Sequence, residues 1–410
     1  MTDEGRRPEP RVSGERLSER ALERRVKRWL LTGPFDCFIQ TAPGLEAILV
    51  EELRAEGFGG EPAMERGGVA VALHHTDIMR ANLTLRTAGR VLLRLATFPA
   101  PTHEMLFDRA AKVPWEVHLG TAETYALRIT SRASRLQAGD AVANTLARSI
   151  TRRLRALGLR PVPRDDAALP LHVRLIDDRC TVSLDTSGEH LHRRGVRRHV
   201  HDAPLRETLA AGVALDAYRG HDTVVDPFCG SGTMLIEMAD LAARRPPGRG
   251  RSFAFEAAAW HRPGRWREVQ RAAAAESVPK GPAPRLIGID VDADALAAAR
   301  HNLAGDAYRQ VELGLGDARE LDLDGLGARR GLLIGNLPYG VRLGDRAEAA
   351  ALIGSFLDRV SRASKGWDLA FITTHPRLFS EHGRLQIDRV RAIESGGLRV
   401  SLVVGRTRRG

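Results

Sequence analysis

Four short segments, in chain order, end apolar runs with residues that could do chemistry. The first is VVDPFCGSGTMLIEMA, in which an apolar run stops at Asp226 and Pro227 and a turn holds Gly230 and Gly232 before Thr233 opens a helix. Glycines let backbone approach a ligand closely, and the start of a helix offers unpaired N–H groups. The spacing is not G-x-G-x-x-G, and no second-strand acid follows at about 20 residues, so a dinucleotide fingerprint does not fit. In LIGIDVDADALAAARHNL, Asp290 ends a run where a carboxylate can accept both hydroxyls of a ribose, and Val291 can lie against a flat ring. Asp294 is expected to cap the helix that follows. In LGLGDARELD, Asp317 can accept a hydrogen bond from a ring amine, with Ala318 leaving room for the ring; alone, such an aspartate is more often a turn former. The fourth segment, LLIGNLPYGVRLG, places Asn336, Leu337, Pro338 and Tyr339 after an apolar run. The Asn336 side-chain oxygen and the Leu337 carbonyl could both accept from an exocyclic amine. That would draw out a lone pair otherwise delocalised into the ring and take up developing positive charge. Pro338 stiffens the turn, and Tyr339 could stack on a base. Asn-x-Pro-Tyr is weak on its own, because Asn-X-Pro is ordinary turn chemistry. It gains force from following the other three in order.

The elements that must position these residues read as an α/β domain. After Asp222, TVVDPF, RLIGIDV, GLLIGNL and DLAFITT are short apolar runs separated by helix-length sequence, the pattern of a mostly parallel sheet. The closing RVRAIESGGLRVSLVVG predicts an antiparallel hairpin about Gly396-Gly397. The stretch RRPPGRGRSFAFEAAAWHRPGRW, with SVPKGPAPR, breaks the rhythm and reads as an inserted loop on the substrate side. Before this domain, Asp36 to about Phe98 reads as a βαβ-type unit of roughly sixty residues. From about Met105 a helix, a strand, a long helix and a hairpin about Asp177-Asp178 follow. RLSERALERRVKRWLL sets Leu17, Leu22, Val26 and Trp29 on one helical stripe, as in a surface helix at the end of a tail.

Composition is ordinary for a globular chain, with 43% hydrophobic and 28% charged residues. At 410 residues it calls for two to four domains. No apolar run is long enough to cross a bilayer and no secretory signal opens the sequence, so a soluble, cytoplasmic protein is expected. Four lysines stand against 58 arginines, with a net charge of +11. A GC-rich genome would give that bias, and so would a polyanion partner that guanidinium groups grip. Arg132, Arg135, Arg148, Arg152, Arg153 and Arg155 cluster in one unit, a run that by itself would suit a solvated helix face. Cys37, Cys180 and Cys229 are far apart, so neither a metal site nor a disulfide framework is expected.

Asp226 to Thr233 resembles the S-adenosylmethionine loop of methyltransferases. The chain as a whole resembles the THUMP-domain RNA guanine methyltransferases, most closely the bacterial branch that forms 2-methylguanosine in 23S rRNA. Its carriers are CFIQTAPGLEAILVEEL, SRASRLQAGDAVANTLARSI, LDTSGEHLHRRGVRRHVHDAPLRETLAAG, DPFCGSGTMLIEMA and PGRGRSFAFEAAAW. The resemblance implies a basic extension at 1–35, a ferredoxin-like domain at 36–104, a THUMP domain at 105–190, a linker at 191–203 and a methyltransferase domain at 204–410. That last domain would be Rossmann-like, a mostly parallel seven-stranded sheet ending in an antiparallel hairpin, behind an α+β RNA-binding region. Asp226, Pro227, Gly230, Gly232, Thr233, Asp290, Val291, Asp317 and Ala318 would hold S-adenosylmethionine, with Asp226 receiving its ammonium. Asn336 to Tyr339 would hold the guanine. Arg132, Arg135, Arg152, Arg153, Arg193 and Arg194 would contact RNA phosphates. No metal is implied, and a monomer is favoured. Leu337 departs from the proline usual in that branch and resembles the related tRNA guanine methyltransferases. A DNA adenine-amine methyltransferase and a non-catalytic RNA-binding ribosome-assembly factor stay open as alternatives.

Overall fold

Helix and strand periods follow one another closely from Leu17 onward. The computed structural model describes residues 17–195, 205–279, 281–339, 346–363, 366–395 and 397–408. Helix α1 (Glu19–Leu30) starts at Ser18, whose hydroxyl oxygen accepts the Ala21 N–H, and it buries Leu22 and Val26, one turn apart. Strand β1 (Phe35–Gln40), α2 (Glu46–Ala55), the hairpin β2 (Ala63–Glu65) and β3 (Gly68–Leu73), α3 (His75–Thr84) and β4 (Arg90–Pro99) follow. Next come α4 (His103–Ala110), which was not foreseen, and α5 (Trp115–Leu119), the second half of the helix expected over AKVPWEVHL. Pro114 precedes α5 and cannot donate to a continuing helix, so the two stay separate. Then come β5 (Thr124–Arg132), α6 (Gly139–Arg155), the short β6 (Val162–Pro163), and the hairpin β7 (Pro170–Ile176) and β8 (Arg179–Asp185). Asp177 and Asp178 turn that hairpin with φ of +49° and +57°, the left-handed pair that a two-residue turn demands.

The last part of the chain holds α7 (Glu207–Ala217), β9 (Thr223–Asp226), α8 (Thr233–Ala242), α9 (Pro263–Ala275), β10 (Arg285–Asp290), α10 (Ala293–Asn302) and β11 (Val311–Leu315). It closes with β12 (Gly331–Asn336), α11 (Arg346–Val360), β13 (Asp368–Thr373), α12 (Pro376–Ser380), β14 (Leu385–Ser395) and β15 (Leu398–Thr407). These seven strands form one sheet in the order β11-β10-β9-β12-β13-β15-β14, with β15 antiparallel to both its neighbours and the other pairs parallel. One core cluster contains Val213, Met234, Leu235, Leu296 and Ile334, and another contains Val225, Leu333, Leu337, Phe356 and Phe371. The alternation of these side chains along β9 and β12 fixes the register, because a slip of one residue would exchange the two faces.

The chain folds into two compact units that do not follow its linear order. One takes the residues up to Asp36, Leu92–Gly188 and Phe253–Pro263; the other takes Cys37–Val91, Glu189–Ser252 and the residues from Gly264 onward. The Pro/Gly-rich insertion is therefore divided. Phe253–Pro263 packs in the first unit, where the Phe255 N–H donates to the Thr186 carbonyl and the Phe255 ring stacks on Trp260. The insertion's last residues, expected as loop, open α9, which continues through the sequence between the two Pro/Gly-rich stretches and buries Trp266 and Ala273. Of the expected linker, residues 196–203 lie outside the described residues, as do 1–16 of the basic extension.

Candidate active site

At β9 and β12 the connections leave the sheet in opposite directions, which opens a crevice outside the carboxyl ends of the two strands. Asp226 ends β9 and is 2% exposed. Its Oδ1 accepts the Phe228 N–H at 3.1 Å. On the facing strand a Cβ at position 335 would lie 2.8 Å from that same oxygen, so the glycine of LLIGN is what admits the carboxylate. Burial pushes the Asp226 carboxyl up to about 8; the Phe228 N–H opposes this and the charge of Asp290 adds to it. Among the described residues no cation pairs with it. A buried carboxylate without a cation suits a ligand that brings an ammonium group.

Pro227 is buried beside it, and the turn then runs along β10, with the Cys229 N–H donating to the Ile289 carbonyl at 3.0 Å. Gly230 (φ +51°) and Gly232 (φ +83°) adopt left-handed conformations, and Gly232 caps α8 directly before Thr233. Asp290 fastens this turn to the end of β10: its Oδ2 accepts the Gly230 N–H at 2.8 Å and its Oδ1 the Asp292 N–H at 3.0 Å. Asp292, rather than Asp294, caps α10, because its side chain accepts the Asp294 and Ala295 N–H groups. Val291 is 75% exposed and Leu315, paired in register with Asp290, is 65% exposed. Two bare aliphatic side chains at adjacent strand ends suit the face of a planar ring. Sequence reasoning found Val291 but missed Leu315, although its place two residues before Asp317 repeats the strand-end pattern. Asp317 is the turn former that its type first suggests. It caps a short 3-10 helix through the Arg319 N–H and pairs with the Arg319 guanidinium, which holds the carboxyl below its ordinary value; Ala318 beside it is buried.

At the end of β12 the Tyr339 hydroxyl donates to Asn336 Oδ1. Burial pushes that phenol up to about 12, against the effect of the Asn336 hydrogen bond. The Leu337 N–H donates to the Ile372 carbonyl at 2.9 Å, a bond that proline could not make, and its side chain is fully buried among Phe356 and Phe371. Pro338 is half-buried. Residues 340–345 of the same segment lie outside the described residues. The structure thus brings Asp226, the glycine turn and Asp290 together, and sets Asn336 one strand away on the same side of the sheet.

The six arginines do not share one fate. Arg132, Arg135, Arg152 and Arg193 are exposed. Arg153 and Arg194 are corrections, since their donors are spent inside the protein. Arg153 gives Nε and Nη2 to Glu116 at 2.8 and 2.9 Å and Nη1 to the Ala111 carbonyl. Arg194 is 5% exposed and binds Glu237 and the Leu191 and Arg86 carbonyls. Neither is free to reach a phosphate. A cavity of about 860 Å³ lies at the opposite, amino ends of the strands, where Tyr218, His221, Asp222 and Arg330 line it, and no strand-end residue above takes part in it. Among the described residues no group of three or more His, Cys, Asp and Glu could hold a metal ion.

A seven-stranded sheet with this glycine turn and these strand-end carboxylates defines an S-adenosylmethionine-dependent methyltransferase domain. The chain belongs to the RMKL-like methyltransferase family, whose domain model matches residues 194–401. The RlmL ferredoxin-like domain matches residues 36–92 and the THUMP domain residues 100–185. Ribosomal RNA large subunit methyltransferase K/L of Syntrophotalea carbinolica is 35% identical over 389 residues, covering 89% of this chain and 53% of its own length. The protein of the same name from Methylococcus capsulatus is 34% identical, covering 89% and 50%. The chain therefore spans about half the length of the curated relatives it matches. The crystal structure of SMU.472 complexed with SAH superposes with a TM-score of 0.82 at 27% identity, covering 91% of this chain and 98% of that one. A Listeria monocytogenes str. 4b F2365 protein described as a predicted N6-adenine-specific DNA methylase gives 0.81 at 26%, covering 92% and 97%.

Proposed function

We propose that this chain transfers a methyl group from S-adenosylmethionine to the 2-amino group of a guanine in structured RNA, with 23S rRNA the favoured target and tRNA the next. The observation that carries this reading is Asn336, oriented by the Tyr339 hydroxyl at the end of β12, one strand from the buried Asp226. When bound, the cofactor supplies an electrophilic methyl group. Asp226 would hold its ammonium, Asp290 its ribose, and Val291 with Leu315 one face of its adenine. Asn336 Oδ1 would accept one N–H of the guanine amine and the Leu337 carbonyl the other, which orients the lone pair outward and stabilises the charge that develops on nitrogen. Because the second acceptor is main chain, leucine serves at 337. The THUMP domain supports an RNA substrate, and the names of the relatives support rRNA. Such a substrate puts the work in the cytoplasm; no described helix is long and apolar enough to cross a membrane.

The test is nucleoside mass spectrometry of rRNA, tRNA and DNA from a deletion strain, with complementation. Loss of 2-methylguanosine from 23S rRNA, restored by the wild type, is the expected result. Its loss from tRNA would move the target, and loss of N6-methyladenine from DNA would favour the function named for the Listeria protein. Asn336→Ala should lower turnover about 10²–10³-fold with cofactor affinity retained. Tyr339→Phe, which keeps the ring and frees the amide, should also lower turnover. A wild-type rate in both variants would remove the acceptor role.

A further inference from the structure

We propose that α1, which precedes the segments matched by the three domain models, forms with α6 a two-stripe phosphate-binding surface for structured RNA; this rests on the RNA reading above. Arg20, Arg24 and Arg28 recur every four residues and so stand in one column on the exposed side of α1. Among the described residues none of the three has an acidic partner, whereas the neighbouring Lys27 pairs with Glu23 at 3.2 Å. Like charges at this spacing destabilise a helix by a few tenths of a kcal/mol per pair, so the column works against α1 unless a polyanion compensates it. Arg148, Arg152 and Arg155 form the matching exposed stripe on α6.

The fold brings the two helices together through a buried carboxylate. Glu116 of α5 accepts Arg25 of α1 at 2.7 Å and Arg153 of α6 at 2.8 and 2.9 Å. The Leu17 N–H, just ahead of α1, donates to the Leu157 carbonyl, just beyond α6. Arg25 and Arg153 are spent on this tie and Arg152 pairs with Asp108 at 3.5 Å, while among the described residues Arg20, Arg24, Arg28, Arg148 and Arg155 have no acidic partner. Phosphate backbone answers this pattern better than an anionic membrane surface does. The apolar face of α1 is already committed, with Leu22 and Val26 buried and Trp29 stacked on Phe35 at 4.1 Å; Leu31, 86% exposed at its end, is a single aliphatic side chain and does not make the broad apolar face that lies in a membrane surface.

The full-length triple variant Arg20→Gln, Arg24→Gln, Arg28→Gln tests this against a random-sequence RNA duplex and 23S rRNA over a salt series. Gln keeps helix propensity, and removing like-charge neighbours should leave Tm unchanged or slightly raised. The expected result is a log–log salt slope shallower by about 2 to 3 and a Kd raised about tenfold or more. Arg267→Gln with Arg271→Gln, exposed on α9 of the other unit, should leave both unchanged. Wild-type Kd and slope in the triple variant would overturn the proposal while leaving the RNA reading intact. A wild-type protein that binds neither RNA would overturn both. Loss of binding to phosphatidylserine vesicles with RNA binding kept would overturn it in favour of a membrane.

Discussion

Asp226 gives the site a pH signature that a single substitution can isolate. Its carboxyl, pushed to about 8 chiefly by burial, keeps its proton in the folded protein across a range where the unfolded chain has lost it. The stability that proton contributes is complete below the ordinary carboxylate range and is lost as pH rises towards about 8. The Tm of the cofactor-free protein should therefore fall between about pH 4 and pH 8, and Asp226→Asn should flatten that fall. Cofactor binding has the opposite dependence. An ammonium group needs the carboxylate, so affinity should rise over the same window and binding should release a proton. Calorimetry in two buffers of different ionisation enthalpy reads that proton directly. Equal pH profiles of Tm in wild type and Asp226→Asn would show that the carboxyl is ionised throughout.

The end of β12 separates what an element needs from what the chemistry needs. The Leu337 side chain is buried in the cluster of Phe356 and Phe371, while its N–H holds the Ile372 carbonyl of β13. Leu337→Ala should cost about 2–5 kcal/mol in chemical denaturation. Cofactor affinity per folded molecule should change little, since position 337 acts on the ligand side only through backbone. An equal loss of cofactor affinity without loss of stability would place the side chain in the site. This division also explains what the sequence could tell. The strand ends at Asp226, Asp290 and Asn336 were legible because short apolar runs stop abruptly at a carboxylate, a glycine turn or an asparagine, whereas β11, VELGL, is mostly exposed and its end at Leu315 was not. The closing hairpin was legible for the same reason, its alternation breaking only at two glycines. Helix α9 was hidden by flanking prolines and glycines. The roles of Arg153 and Arg194 were hidden by distance, because their carboxylate partners stand 37 and 43 residues away along the chain. Local spacing cannot see such pairings, so exposed and buried arginines look alike in a chain that has 58.

The two compact units are woven from one chain that passes between them five times, after Asp36, Val91, Gly188, Ser252 and Pro263. Residues 36–195 therefore cut through both, and that fragment should not fold as an independent RNA-binding module. The fourth and fifth passages bracket Phe253–Pro263, which lies within the methyltransferase match by sequence yet belongs to the THUMP-containing unit by structure. Trp260 anchors it. The side chain is fully buried, 6.1 Å from the Phe255 ring and 6.2 Å from Trp29, and the adjacent Ala259 N–H donates to the His118 carbonyl of α5. Trp260→Ala should remove about 3–5 kcal/mol, and the loss should fall on the unit that holds the ring rather than on the domain that holds the motif. Hydrogen exchange should accelerate in α5, α6 and β8, with β9, β10 and β12 protected as in the wild type and S-adenosylmethionine affinity kept. RNA binding should weaken with it, because α1 and α6 rest on the same interior. Faster exchange in β9 to β12 with α5 and α6 unchanged would return this segment to the catalytic domain and undo the division.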